Sequence, residues 1–301
     1  MPIENWDKTE IRKLALTSGK PLEVQCAEVF LKRGWHVRLG TFYTDVASEK
    51  IRELDFLAER DFPFTASNIN GNTIHWNVRF RILGSCKGFP PENAPATYSV
   101  SPKGSSVELP SFICYECGIY GWTVAQAMKQ LSARRFLQCA GLSQSQQAVG
   151  FDIFRREEVP QRKKDPQGPS EIIYSRSGDR ALYEGLDSAV KAAVFWHREE
   201  KRQIRLQVVA PESGYIALNI PLLVSSLPFW DISIDKGDAG EPALKSCGFH
   251  VSRYPSGDEE KSPEPIMSLL WDVANLGVLT DSLGQLINYV TDEIEVRVKS
   301  V

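Results

Sequence analysis

The chain lacks the excess of positive charge, the clustered cysteines and the long apolar run that would place it in three large classes of protein. Its 301 residues carry 35 Lys and Arg against 38 Asp and Glu, a net charge of −3. A general nucleic-acid coat protein is ordinarily basic, so that class is disfavoured, although a local basic cleft needs no global excess. Six cysteines are scattered along the chain, which fits reduced thiols in a cytosol better than a disulfide scaffold. The longest apolar stretch, Ile216 to Ile234, is broken by Pro221, Pro228 and Asp231, which argues against a membrane span. Met1 to Gly19 is polar and charged and holds no apolar core of the signal-peptide kind. No internal repeat, Gly-rich phosphate loop or nucleophile elbow is visible. A cytoplasmic protein with no membrane partner is the expectation.

What is present is a mixed pattern of helix and strand signals, which favours an α/β architecture. Amphipathic spacing runs from Trp6 to Leu16. A clearer helix spans Leu22 to Arg33, opened by Pro21 and closed by Gly34, with Leu22, Cys26, Val29 and Phe30 as its stripe and Glu23 off the stripe's centre. Strands are expected at Trp35 to Tyr43, at Ile51 to Ala58 and, after the Asn70-Gly71 turn, at Thr73 to Leu83. Later, Gly88 to Ser111 reads as loop with short extended pieces, Trp122 to Leu137 as helix and Val149 to Phe154 as strand. Leu182 to Glu200 reads as a long helix, and Ile204 to Val209, Tyr215 to Ile234 and Phe249 to Tyr254 as strands. Ser256 to Glu264 is an acidic loop, and Ile266 to Leu276 and Leu283 to Val290 read as closing helices. The charged, proline-broken stretch Arg155 to Ser170 is the linker or mobile-loop candidate. It divides a core at 1–154 from a C-terminal α/β part at 171–301 that is expected to continue the same unit.

Chemistry concentrates in the first third. Glu53 and Asp55 stand two apart on a strand, so simple alternation puts them on one face, with Arg52, Leu54 and Phe56 on the other. Ser85 and Lys87 share a face at the end of the third strand. If the Asn70-Gly71 hairpin pairs these strands, Asp55 and Lys87 converge at one sheet edge. Such an arrangement suits metal-assisted phosphodiester hydrolysis. Mg²⁺ wants one or two carboxylates plus water and phosphate oxygens, and a neighbouring lysine can orient water and offset transition-state charge.

Helix with Glu23, Gly34-Trp35, strand, Tyr43-Thr-Asp45…Lys50-Ile-Arg52-Glu53-Leu-Asp55-Phe-Leu-Ala58, strand, then Ser85-Cys86-Lys87 resembles the PD-(D/E)XK proteins of the restriction-endonuclease-like superfamily, particularly uncharacterised bacterial members. The resemblance covers roughly Pro21 to Gly88. It implies a mixed central sheet flanked by helices, with further C-terminal strands and helices. It matches Asp55 to the first metal-binding acid, Lys87 to the motif lysine and Glu23 to a supporting helix glutamate, with Cys86 in the usual context. The implied function is a Mg²⁺- or Mn²⁺-dependent DNA nuclease in restriction, repair or defence, the cellular setting resting on analogy of fold alone. Ser85 departs from the pattern by standing at the second acid. A neutral hydroxyl is a weaker ligand for a hard cation, so Glu53, Glu23 or Asp45 would have to supply the missing oxygen. The alternative is a pseudonuclease that keeps the sheet as a nucleic-acid-binding or protein-interaction module.

Against these sharper readings stand plainer ones. Glu53, Asp55 and Lys87 could be solvated strand residues. Cys114 and Cys117 form a C-x-x-C with no second clean ligand pair, and read as two reduced cysteines near a core edge. His36, His75, His197 and His250 share no ligand spacing. Arg79 and Arg81, on the face of Ser85 and Lys87, either line a phosphate cleft or are solvated. Arg162-Lys163-Lys164 reads as solvated loop, and the apolar C-terminal helices serve either core packing or a homodimer face.

Overall fold

In the computed structural model, which describes residues 19–90, 92–100, 112–118, 133–142, 147–160, 170–206, 213–254 and 264–299 together with 7–9 and 12, Pro21 opens helix α1 (Lys20–Leu31). The helix ends as Gly34 adopts φ 77, which lets Trp35 N–H reach back to Phe30 O at 3.2 Å. The expected Trp6 to Leu16 helix lies almost wholly outside the described residues.

Strands β1 (His36–Thr44), β2 (Ile51–Ser67) and β3 (Thr73–Lys87) then form an antiparallel meander. The β2–β3 turn is held by Asn68, whose Oδ1 accepts from Asn70 and Asn72 N–H at 3.0 and 2.9 Å, while Gly71 takes φ 79. There follow β4 (Asn93–Val100), β5 (Ile113–Gly118), a helical stretch over 133–139 (α2), β6 (Gln147–Pro160), β7 (Ser170–Arg176), helix α3 (Arg180–Leu206) and β8 (Ser213–Ser225). The chain closes with β9 (Phe229–Asp235), β10 (Asp238–Ala239), β11 (Ala243–Lys245), β12 (Cys247–Tyr254), β13 (Glu264–Asp272), a 3-10 turn and helix α4 (Leu276–Lys299).

The described residues form one sheet of thirteen strands, in the order β1-β2-β3-β8-β13-β12-β6-β4-β9-β10, with β5 beside β8, β7 beside β6 and β11 beside β9. β8 runs parallel to both β3 and β13, as α/β crossovers require. Helices α1 and α4 cover one face: Cys26 and Phe30 of α1 and Leu279, Leu283 and Leu286 of α4 pack with Phe56, Phe80 and Ile82. Helix α3 covers the other, its Ala192 and Ala193 against Leu54, Leu57 and Leu83 and its Leu182 and Leu186 against Leu223. Small residues on α3 bring its backbone close to β3 and β8.

Several expectations change. Ile266 to Trp271 is the middle of β13, not a helix. Inserted between β8 and β12 and covered on both faces, a buried strand carries a continuous apolar run with no period of two to betray it. Arg155 to Pro160 is not linker but the outer half of β6, paired with β7 from Phe154↔Arg176 to Pro160↔Ser170. The exposed arm needs no apolar alternation, so its sequence reads like loop. Residues 161–169, including the Arg162-Lys163-Lys164 run, fall outside the described residues, as does most of the acidic 256–264 loop. Residues 204–206 extend α3 instead of starting a strand. Strands from 1–154 and from 171–301 share one sheet, because β8 lies between β3 and β13. No helix among the described residues is long and apolar enough to cross a membrane.

Candidate active site

The site lies where β2 begins and where β3 and β8 end. β1 and β2 pair without a register shift, Leu39↔Phe56 on one side and Thr41↔Leu54 on the other, yet the rung between them is missing. Gly40 occupies that rung at φ 59, and a Cβ there would stand 3.2 Å from Glu53 Oε1. The alternation expected of Glu53 to Phe56 therefore fails. Leu54 packs under α3 with Leu57, while Phe56 packs under α1, its ring 5.7 Å from that of Phe30. Leu54 and Phe56 thus lie on opposite faces, and Glu53 and Asp55 part company: Glu53 turns to α1, and Asp55 reaches across to β3.

There Asp55 Oδ2 accepts Cys86 N–H at 2.6 Å and Ser85 Oγ–H at 3.2 Å. Its Oδ1 has no hydrogen bond among the described residues. Phe56↔Gly84 is the last β2–β3 pair, so the carboxylate takes over the ladder where the backbone partner stops. Phe56 lies so close over Gly84 that any side chain there would strike its ring.

Glu23, expected off the stripe's centre, is on the buried side of α1 at 6% exposure. Lys20 Nζ bridges it to Glu53, at 2.9 Å from Glu23 Oε2 and 3.2 Å from Glu53 Oε1. Burial raises the Glu23 carboxyl above its usual range, the Lys20 hydrogen bond opposes this, and the negative charges of Asp55 and Glu53 add to the rise. Three carboxylates thus share one field, with a lysine ammonium already among two of them.

On the α3 side, Lys87 lies over Gly185. A Cβ at Gly185 would stand 2.8 Å from Lys87 Cε and 3.3 Å from Ser85 Oγ, so this glycine makes room for both. Lys87 has no ion pair among the described residues; Glu184, next on the helix, is held below the usual carboxylate range by Arg180 at 2.6 Å, with Lys87 adding a smaller lowering. The end of β3 is fixed by Ser226 N–H to Lys87 O at 3.1 Å and Phe89 N–H to Ser226 Oγ at 2.8 Å.

Cys86 points to the α1 side, its Sγ 3.7 Å from Cys26 Sγ. The contact with Cys26, burial and the nearby acids push this thiol's pKa up, which suits a packed core group and not a nucleophile.

Other sequence candidates fall away from the site. Asp45 has no exposed surface and anchors the β1–β2 turn, accepting from Ala47 N–H at 3.1 Å, Ser48 Oγ at 2.8 Å and Arg52 Nε at 2.8 Å, with Lys191 of α3 at 3.5 Å. Burial would raise its carboxyl, but these bonds and the Lys191 charge hold it at about 2. It is not a spare metal ligand. Arg79 and Arg81 neither line a cleft nor face solvent freely. Arg81, 3% exposed, is ion-paired with Glu200 of α3 and with Glu59, and Arg79 pairs with Asp61. Cys114 and Cys117 sit inside β5, paired to β8, and not at a helix start. Among the described residues, no three His, Cys, Asp or Glu side chains close into a metal-holding group.

Sequence reasoning missed Lys20, Gly185 and Glu184. Lys20 was readable as the partner one turn before Glu23. The other two were not, because only tertiary packing says which face of α3 meets β3. The chain matches no protein-family model, no curated protein and no solved structure.

Proposed function

We propose that this protein is a divalent-metal-dependent phosphodiesterase acting on nucleic acid, DNA in the first instance, built on a PD-(D/E)XK-type core. Support for the core comes from helix α1 bearing Glu23, the three-stranded meander β1-β2-β3, and the long helix α3 leading into β8 beside β3, with β4 to β7 inserted between the meander and that helix. The observation that carries the reading is the Asp55–Ser85 contact at 3.2 Å, which ties the acid of β2 to the strand end that bears Lys87.

The donor set suits a hard cation in kind: Asp55 Oδ1 and Glu23 would hold it, with Ser85 Oγ as a neutral third oxygen and Glu53 behind them. Lys20 is the obstacle. Its own side chain is 60% exposed and its pair with the 46% exposed Glu53 contributes about 0–1 kcal/mol, so a divalent ion would chiefly have to displace it from the buried Glu23. Such an ion supplies Lewis-acid polarisation of the phosphate and a more acidic attacking water. Lys87, without an ion pair among the described residues, would set its ammonium against a phosphate oxygen or orient that water. Cys86 N–H holds Asp55 through Oδ2 and leaves Oδ1 without a hydrogen bond among the described residues.

One observation favours a second reading, a catalytically silent nucleic-acid-binding or protein-interaction module. Ser85 adds no charge, and Lys20 already balances Glu23 and Glu53. Calorimetry with Mg²⁺ and Mn²⁺ and a plasmid-nicking assay, on wild type, Asp55→Asn and Lys87→Ala, separate the two. Nicking that needs metal and is lost in both variants supports the phosphodiesterase. Absence of both metal binding and nicking in folded wild type overturns it in favour of the silent module.

A further inference from the structure

Far from the Asp55 end of the sheet, strands β6, β7, β4 and β9 build a second concave surface. It encloses a cavity of about 730 Å³, within the range of about 300–1,000 Å³ usual for small-molecule sites. Its walls combine aromatic and cationic side chains. Phe154, Tyr174 and Trp230 all line it, together with Arg156 and Arg176, against a single lining acid, Glu92; Arg155, one residue out of phase, is ion-paired with Glu157 at 3.0 Å.

Register explains the grouping. Arg156 pairs across the ladder with Tyr174, and Phe154 with Arg176, so aromatic and guanidinium groups alternate along one face of the arm. Two strands over, Trp230 pairs with Ala96, whose own partner on β6 is Asp152, on the face of Phe154. The small Ala94 of β4 lies in the lining between the aromatic walls. Trp230 is 39% exposed and Tyr174 73%, unusual for large rings on a sheet face. Arg176 does not wander: it is ion-paired with Asp152, which is fully buried and also accepts from Tyr98 Oη at 3.0 Å.

We propose that this cavity binds a nucleotide unit, with its base on the exposed aromatic rings and its phosphate on the arginines. The rings supply π-faces for stacking. Guanidinium groups match phosphate oxygens in a planar fork. An alkyl ligand would use the rings alone, and an inorganic anion would leave the rings bare. The unit can come from a free nucleoside phosphate or from a single strand of nucleic acid, since both present the same base and phosphate.

The test is calorimetric titration of the full chain, without divalent cation, with AMP, adenosine, inorganic phosphate and a short single-stranded adenine oligonucleotide. AMP or the oligonucleotide should bind at least about tenfold tighter than phosphate, and Trp230→Ala and Arg156→Gln should each weaken binding about tenfold. Tyr174→Ala, at a highly exposed position, gives the same readout should Trp230→Ala fail to fold. Tighter binding of the oligonucleotide assigns the site to a strand, and tighter binding of AMP assigns it to a free nucleotide. If neither binds better than phosphate, or if the aromatic variants bind as wild type does, the proposal is overturned. Because the titration needs neither metal nor Asp55, its failure is distinct from failure of the phosphodiesterase reading.

Discussion

Cys86 donates its backbone N–H to the carboxylate of Asp55 at 2.6 Å, at the point where β2 and β3 stop pairing through their main chains. The bond gives Asp55 a structural duty besides any chemical one, and the two can be separated by substitution.

Asp55→Ala removes the acceptor and leaves a buried N–H unsatisfied, which costs about 1–3 kcal/mol. Asp55→Asn keeps an oxygen for that N–H and removes the charge. Chemical denaturation should therefore show Asp55→Ala clearly destabilised and Asp55→Asn close to wild type, while metal binding is lost in both. Equal stability of the two variants would show that the Cys86 bond contributes nothing.

Restoring an acid at the second motif position offers a complementary measurement. Ser85→Asp places like charges side by side, so the metal-free variant should melt below wild type. Mn²⁺ at about a hundred times its Kd should return about 2.7 kcal/mol by mass action, and the variant should gain more from the ion than wild type does. Thermal melts with and without Mn²⁺ decide it; an identical metal response in both proteins would count against a cation position beside Asp55.

Asp45 sets a pH dependence. Its folded carboxyl sits at about 2, below the ordinary aspartate value of 3.8. The stabilisation it gives is present above pH 4 and is lost as pH falls through 2. A shift of that size corresponds to about 2 kcal/mol. Asp45→Asn should accordingly be less stable than wild type at pH 7, with the gap closing between pH 4 and 2. Urea midpoints across that range check it, and a gap that persists at pH 2 would point to packing instead.

Arg81 and Glu200 form an ion pair in which each residue is 3% exposed. Arg81→Met strands the glutamate with only Arg79 at 3.5 Å, and losing one partner of a buried pair costs about 3–5 kcal/mol. Replacing both by methionine leaves no buried charge behind and should cost less than the single change. A double-mutant cycle reads the difference directly; a double variant worse than Arg81→Met would show that the pair is net stabilising.

The first third of the fold was legible because its signals are local. Pro21 and Gly34 bracket α1, and Asn70-Gly71 marks the turn that sets the β2–β3 register, so the adjacency of Asp55 and Ser85 followed from residues near one another in sequence. β13 was not legible, because Ile266 to Trp271 owes its extended form to β8 and β12 on either side. Neither was the partition of Glu53 and Asp55, since it depends on a glycine in the neighbouring strand. The place of Lys87 over Gly185 joins residues almost a hundred positions apart, and no spacing rule reaches that far.

The missing rung at Gly40 and Asp55 has a genetic consequence. Up to Leu54 the even-numbered positions of β2 look toward the long helix; from Leu57 onward the odd-numbered ones do. A scan of tolerated substitutions along this strand would show its polar-permissive positions change phase at residue 55, and an aligned relative without a glycine opposite would be expected to keep a single phase throughout.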